Sequence, residues 1–385
     1  MAGQGEDMDT AGRTATGQNG RTNQAGRDVC PARASLRAVG LVLALFSCLA
    51  LTVLLACGVG SYPAPPGEVL RALAQAAGLA WGAPVDQSLS VVIVDIRLAR
   101  VLLAGLTGAA LALAGAAFQG VLRNPLADSF TLGVSGGAAF GASLAIISGL
   151  AGQAALTGDS RALPACALAG ALGALILVLG LSRAGGGPLS GLRRETVVLA
   201  GIVVSTFLSA LISLLKSLDE ESVSSIVFWI MGSFQGRGFE HAQLAWPYML
   251  VGAVVILWRA RELDLLALGE SQARMLGLDA GRSRLWLLLG ASLLSGAAVA
   301  VSGVIGFVGL VVPHLVRLAL GAGHARLLPA SALLGALLLI WSDVAARSAL
   351  PGGAELPVGV VTALIGGPFF CLILARKGLK RGENP

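Results

Sequence analysis

Apolar and polar positions alternate along this chain in long blocks. Apolar runs fall at about residues 38–58, 98–121, 130–150, 162–182, 196–215, 242–258, 285–305, 307–320, 327–342 and 356–375. The short segments between them carry most of the charge. At about 1.5 Å per helical residue, a run of about twenty residues crosses the hydrocarbon core of a bilayer. The pattern predicts an all-α polytopic membrane protein of about ten transmembrane helices. Residues 1–36 are rich in Gly, Thr, Gln and Arg and poor in large apolar side chains, which predicts a disordered cytoplasmic extension. Residues 37–376 then form the transmembrane domain, and 377–385 a cytoplasmic tail.

The block 285–320 reads in two ways, as one long helix or as two spans joined by a tight turn near Gly303–Gly309. Charge separates the two. With ten spans and a cytoplasmic N-terminus, 20 of the 27 Lys and Arg residues face the cytoplasm and 7 face outward. Merging the pair moves the split to 15 against 12. The positive-inside bias favours ten spans, with both termini cytoplasmic in a multi-pass cell-membrane protein.

The pattern also repeats internally. GAALALAG at 108–115 is followed ten residues later by Pro125, and GAAVAVSG at 296–303 is followed ten residues later by Pro313. Seven of the eighteen paired positions are identical. An odd number of spans separates the copies, so they cross the membrane in opposite senses. That is the form of an inverted repeat, a transporter architecture.

Composition agrees with the block pattern and removes several functions. Hydrophobic residues make up 55% of the chain and charged residues 12%, with mean hydropathy +0.81. A soluble domain carries about 25% charged residues. The net charge of +6 follows from the topology, so nucleic acid is not an expected partner. Five scattered cysteines and three dispersed histidines suggest neither a disulfide framework nor a metal site. No acidic or basic residue falls in the core of an assigned span. This disfavours the alternative of an ion-coupled secondary transporter, which places ionisable groups at depth. A membrane-embedded enzyme is the weaker alternative, since no nucleophile–base constellation is visible. The chain lacks a phosphate-binding GxxxxGK[ST] loop, so any ATP-driven motor is another polypeptide.

Several motifs in order resemble one family. They are Arg97-Leu-Ala-Arg100, the GAALALAG core with Gln119, Asn124-Pro-Leu-Ala127, Leu199-Ala-Gly201 and Trp229-Ile-Met-Gly-Ser233. They continue with Ala267–Gly277, Gly306-Phe-Val-Gly-Leu-Val-Val-Pro-His314, Asp343-Val-Ala-Ala-Arg347 and Glu355-Leu-Pro-Val-Gly359. Over about 60–380 the chain is similar to permease subunits of bacterial type II ABC importers for iron–siderophore, haem or cobalamin. The resemblance implies ten spans and a permease dimer, formed with a second copy or a sibling. It also implies two ATPase subunits holding ATP and Mg, and an extracytoplasmic binding protein. It assigns no cofactor to this chain, and ferric siderophore is the commonest cargo. Ala99 stands where the family usually has proline, which leaves both neighbouring arginines in place.

Candidate sites follow. Arg97 and Arg100, three apart, point to one side of a helix at its outer end, and Arg347 caps another span on that face. Interfacial anchoring is the plain reading; the resemblance makes these three the docking points for acidic residues of the binding protein. Residues 259–284 form a charged cytoplasmic loop in which Gly269 and Gly277 bracket a short helix. Glu270 and Arg274 are spaced to pair on its surface. The resemblance makes it the coupling helix seated in the ATPase, with Ala273 permitting close approach and Leu276 as apolar anchor. Ser205, Ser209 and Ser213 share one stripe of a span, where hydroxyls either line a polar path or bond back to their own helix. By resemblance alone, Arg194, Glu195 and Thr196 sit at a cytoplasmic gate. Residues 222–234 are too short to span and predict an outer amphipathic helix.

Overall fold

The computed structural model describes residues 31–60, 64–79, 81–150, 152, 161–186 and 192–382. In chain order the helices are α1 (Pro31–Gly58), α2 (Pro66–Ala76), α3 (Gln87–Leu122), α4 (Val134–Ile147) and α5 (Ala162–Gly186). Next come α6 (Arg194–Leu218), α7 (Val223–Met231), α8 (Phe239–Trp258), α9 (Ala260–Leu268) and α10 (Glu270–Met275). The last four are α11 (Ala280–Ser302), α12 (Val308–Leu320), α13 (His324–Ser348) and α14 (Val358–Gly382). Each predicted apolar run overlaps one of these helices. Seven of them (α1, α3, α5, α6, α8, α11 and α13) are long and apolar enough to cross a membrane. The remaining three runs lie on the shorter apolar helices Val134–Ile147, Val308–Leu320 and Val358–Ile373. The protein is an all-helical polytopic membrane protein.

Of the expected N-terminal extension, residues 1–30 lie outside the described residues, while 31–36 are already helical in α1. At the other end α14 runs on through Gly382, into the stretch expected to be a tail, and 383–385 lie outside the described residues. The short outer helix expected within 222–234 is α7, which buries Ile226 and Trp229.

The sequence marks where the helices start and stop. Asp86 begins α3 by accepting the backbone N–H groups of Ser88 and Leu89, and Asp279 begins α11 by accepting those of Gly281 and Arg282. The ambiguous block resolves into two helices. The chain leaves α11 at Gly303, whose φ of 72° a side chain disfavours, and re-enters helix after Phe307 at φ 67°. A methyl group on Gly303 would also overlap the Trp229 carbonyl oxygen. The two copies of the repeat therefore differ locally: Gly115 lies within α3, whereas its counterpart Gly303 ends α11.

α3, α11 and α13 are the most enclosed helices, and α1, α6 and α8 are peripheral. Close packing comes from small residues, as it does where lipid leaves little hydrophobic drive between helices. Gly108 of α3 faces Gly335 of α13, and a Cβ on either would overlap the other's carbonyl oxygen. Gly137 of α4 and Gly170 of α5 are related in the same way. α3 and α11 run in opposite senses. The C-terminal end of α3 reaches the 260–275 segment, where Gly120 meets Leu263 and Arg123 meets Gly269. The N-terminal end of α11 reaches the same segment through Arg284 and Glu270.

These positions set up a labelling test. In a cysteine-free background, Ser271→Cys on α10 and Ala354→Cys after α13, both exposed, are expected to react with impermeant thiol reagents from opposite sides of the membrane. Reaction of both from one side overturns the topology.

Candidate functional site

One end of the bundle gathers the three arginines, but not as free cations. Arg97, Arg100 and Arg347 are only 5%, 8% and 9% exposed. Arg100 is held by two carboxylates. Its Nε donates to both Asp343 oxygens at 3.0 and 3.1 Å, its Nη2 lies 2.8 Å from Asp343 Oδ1, and its Nη1 donates to Glu355 at 3.0 Å. Arg347 donates through Nη2 to the Ala56 carbonyl at 2.7 Å and lies 3.9 Å from Asp343. Arg97 donates to the Cys57 carbonyl at 3.0 Å. The three arginines expected to meet a partner are here engaged by groups of their own chain. They gather at one end of the bundle with their heads turned inward, tying α1, α3, α13 and the loop before α14 together. A buried guanidinium needs carboxylates and carbonyls around it, and this cluster supplies them.

The opposite end carries the 259–284 segment. Arg259 begins it, paired with Glu262 at 2.8 Å and stacked over Trp286 at 5.7 Å, which fixes α9 against α11. Leu263 and Leu266 bury the inner face of α9. At Gly269 the backbone takes φ 124°, and α10 begins. Glu270 pairs with Arg274 at 2.7 Å and lies 3.4 Å from Arg284 of α11. Leu278 donates to the Ala273 carbonyl, and Gly277 closes the turn at φ 83°. One expectation changes here too. Ala273 is 0% exposed and packs inside its own chain, so it does not offer a surface for close approach by a partner. The outward face is instead made by Leu268, Met275 and Leu276, exposed by 56%, 79% and 61%.

The expected path and gate residues lie along α6. Arg194 and Glu195 pair with each other on its exposed first turn, and the Thr196 methyl packs near Gly185. Ser213 bonds back to the Ser209 carbonyl at 3.0 Å, the plainer of the two readings. Ser205 does not. It donates to the Phe130 carbonyl at 3.0 Å, in the loop between α3 and α4. In that loop Asp128 accepts the N–H groups of Phe130 and Thr131. Burial nevertheless pushes its carboxyl above the usual carboxylate range. The stripe also carries exposed Ile202, so its surface is mixed rather than polar.

Some polar groups lay outside the sequence reading. Arg317 of α12 donates to Gln119 of α3 at 3.0 Å, and Gln119 donates to the Gly309 carbonyl at 3.1 Å. A cation at the end of an assigned span was therefore not a stray interfacial charge. Asp343 and Glu355 stand within quoted motifs, but their partner lies 243 and 255 positions away, and nothing local marks the pairing.

Fold and site together define an integral-membrane transport permease. The chain belongs to the FecCD transport family, whose pattern matches residues 48–376. It is 42% identical over 333 residues to the uncharacterized ABC transporter permease protein YvrB of Bacillus subtilis, covering 86% of this chain and 92% of that one. It is 40% identical over 302 residues to the cobalamin import system permease protein BtuC of Halobacterium salinarum, covering 78% of each. Identity is also 40% over 302 residues to the hemin transport system permease protein HmuU of Yersinia pestis, covering 78% and 88%. Among solved structures, a metal-chelate-type ABC transporter in an inward-facing conformation superposes with a TM-score of 0.73 at 34% identity, covering 88% of this chain and 99% of that one. The protein is thus a transport permease of that family, similar to permeases of ABC transporters.

Proposed function

We propose that this chain is the membrane subunit of an ATP-driven importer that carries a ferric siderophore into the cytoplasm, with haem and cobalamin as the alternative cargoes. It crosses the membrane ten times, with both termini cytoplasmic, and works as a dimer with a second copy or a sibling. Two separate ATPase subunits hold ATP and Mg and seat α10. An extracytoplasmic binding protein docks at the arginine end. This chain does no covalent chemistry and carries no cofactor of its own.

The observation that carries the reading is the 259–284 segment. It is held to α11 by Arg259 over Trp286 and by Glu270 with Arg284, while its outer face presents exposed Leu268, Met275 and Leu276. Apolar residues on a polar loop at a bundle end are suited to an ATPase groove. At the other end the three arginines outnumber Asp343 and Glu355 by one charge. In this reading, acidic residues of the binding protein compete with those two carboxylates for the guanidinium groups. The exposed face of α6, with Arg194, Glu195 and Thr196 at its start and Ser205, Ser209 and Ser213 along it, faces the path between the two permease subunits.

Reconstitution tests this. Proteoliposomes holding the permease and its ATPase, with binding protein outside and ATP inside, are expected to accumulate a ferric siderophore in preference to haemin or cyanocobalamin. Accumulation driven by an ion gradient without the ATPase would replace the importer reading with that of a secondary carrier.

A further inference from the structure

The start of α13 is capped from another helix. Its own N-cap position is Gly323, which has no side chain to offer, and the first helical residue is His324. Helix N-termini leave N–H groups without intrahelical partners, and a carboxylate there is favoured by the helix dipole as well. Asp264 of α9 takes that place. Its Oδ1 accepts the His324 backbone N–H at 2.9 Å and lies 2.6 Å from the His324 ring Nδ1. The ring is 5% exposed and Asp264 is 42% exposed, so the contact is anchored on α13 and reached from the segment.

Asp264 does not act alone. The preceding residue, Leu263, is fully buried against Gly120 of α3, and the His324 ring lies against the same glycine. A Cβ at position 120 would stand 2.9 Å from His324 Nε2 and 3.0 Å from Leu263 Cδ2. Two neighbouring residues of α9 thus grip two helices at one point. Those two helices are packed backbone to backbone at Gly108 and Gly335. At their far ends they are clamped again by Arg100 of α3 and Asp343 of α13. From His324 to Asp343 is nineteen residues, or about 29 Å of helix. Coupling between distant sites travels through packed elements of this kind.

We propose that Asp264 is the positioning residue that yokes the 259–284 segment to the α3–α13 pair, so that displacement of the segment by its ATPase reaches the arginine cluster at the far end. The inference rests on the importer reading and adds the route to it. Asp264 touches neither ATP nor cargo; it acts by holding His324.

The test uses the assembled complex of permease, ATPase and binding protein in nanodiscs. In a cysteine-free background, spin labels at Leu199 and at Arg261 of α9, away from the ATPase-facing side chains, report movement of the segment against α6. Labels at Leu218 and Leu350 report movement of the far end of α13 against α6. All four positions are exposed. In the parent protein, ATP is expected to shift both distances. In Asp264→Ala the first distance still shifts and the second keeps its nucleotide-free value. Basal ATP hydrolysis persists, while its stimulation by the binding protein falls about fivefold or more. Asp264→Asn keeps an acceptor oxygen and is expected to restore the second shift. Asp264→Ala combined with His324→Ala should be no worse than Asp264→Ala alone. A second distance that follows the first in Asp264→Ala overturns the proposal. So does loss of ATPase association in Asp264→Ala, Asp264→Asn and His324→Ala alike, which would make this contact part of the ATPase seat. Absence of any ATP-dependent shift in the parent protein would count against the importer reading itself.

Discussion

Replacing Arg100 with glutamate is expected to abolish the folded permease rather than merely weaken its hold on a binding protein. The substitution sets a third carboxylate against Asp343 and Glu355, which now hold Arg100 through five contacts of 2.8–3.1 Å. Removing one member of a buried ion pair costs about 3–5 kcal/mol, because the other charge is left without compensation. Reversal adds repulsion to that loss. The measurement is the midpoint of thermal aggregation in detergent, with yield after membrane extraction. Arg100→Met should show most of the loss, and adding Asp343→Leu to it should recover a substantial part, since the pair is then removed together. Arg100→Glu protein of normal yield and midpoint would mean that the guanidinium is not committed to Asp343, and the cluster would revert to an open docking surface.

The same cluster shows how far the sequence could be read. Ten apolar runs, their order and the break within 285–320 were legible, because burial in lipid demands length and hydropathy that any stretch displays by itself. Arg97, Arg100 and Arg347 were legible as a group, because charge at the ends of spans is rare on that side. Their inward orientation was not. It depends on Asp343 and Glu355 in distant segments, and on carbonyl groups freed where α1 ends at Ala56, Cys57 and Gly58. The coupling segment divides in a similar way. Glycines at 269 and 277 and the 270–274 spacing marked a short helix with a surface ion pair. Which side of that helix faces outward is decided by α9 and α11 packing beneath it. Hence Ala273, small and central in the motif, lies on the inner side. Asp264 and His324 were hidden for the same reason, since a cap supplied from sixty residues away leaves no local signature.

The discriminating coupling variant is therefore Met275→Asp with Leu276→Asp, rather than a change at Ala273. Arginine at position 273 would have to enter a site with no exposed surface, so it is expected to unseat α10 from α11 whether or not an ATPase binds there. Loss of transport in that variant would not separate a broken loop from a broken interface. Met275 and Leu276 make no such demand, because both side chains stand out from the bundle. Aspartate at each leaves the Glu270–Arg274 and Glu270–Arg284 pairs in place, so the segment keeps its fold and the protein its thermal midpoint. In an interface, fully burying each large apolar side chain is worth about 1.5–3 kcal/mol. Losing two of them, with two carboxylates desolvated instead, should weaken ATPase association by about a hundredfold or more. The readout is co-purification of the ATPase with the permease, followed by ATP-driven uptake in proteoliposomes at matched permease content. Binding-protein association at the opposite end should remain at the parent level. If the doubly substituted permease retains its ATPase at parent stoichiometry, the exposed face of α10 is not the seat, and the motor must engage the chain elsewhere.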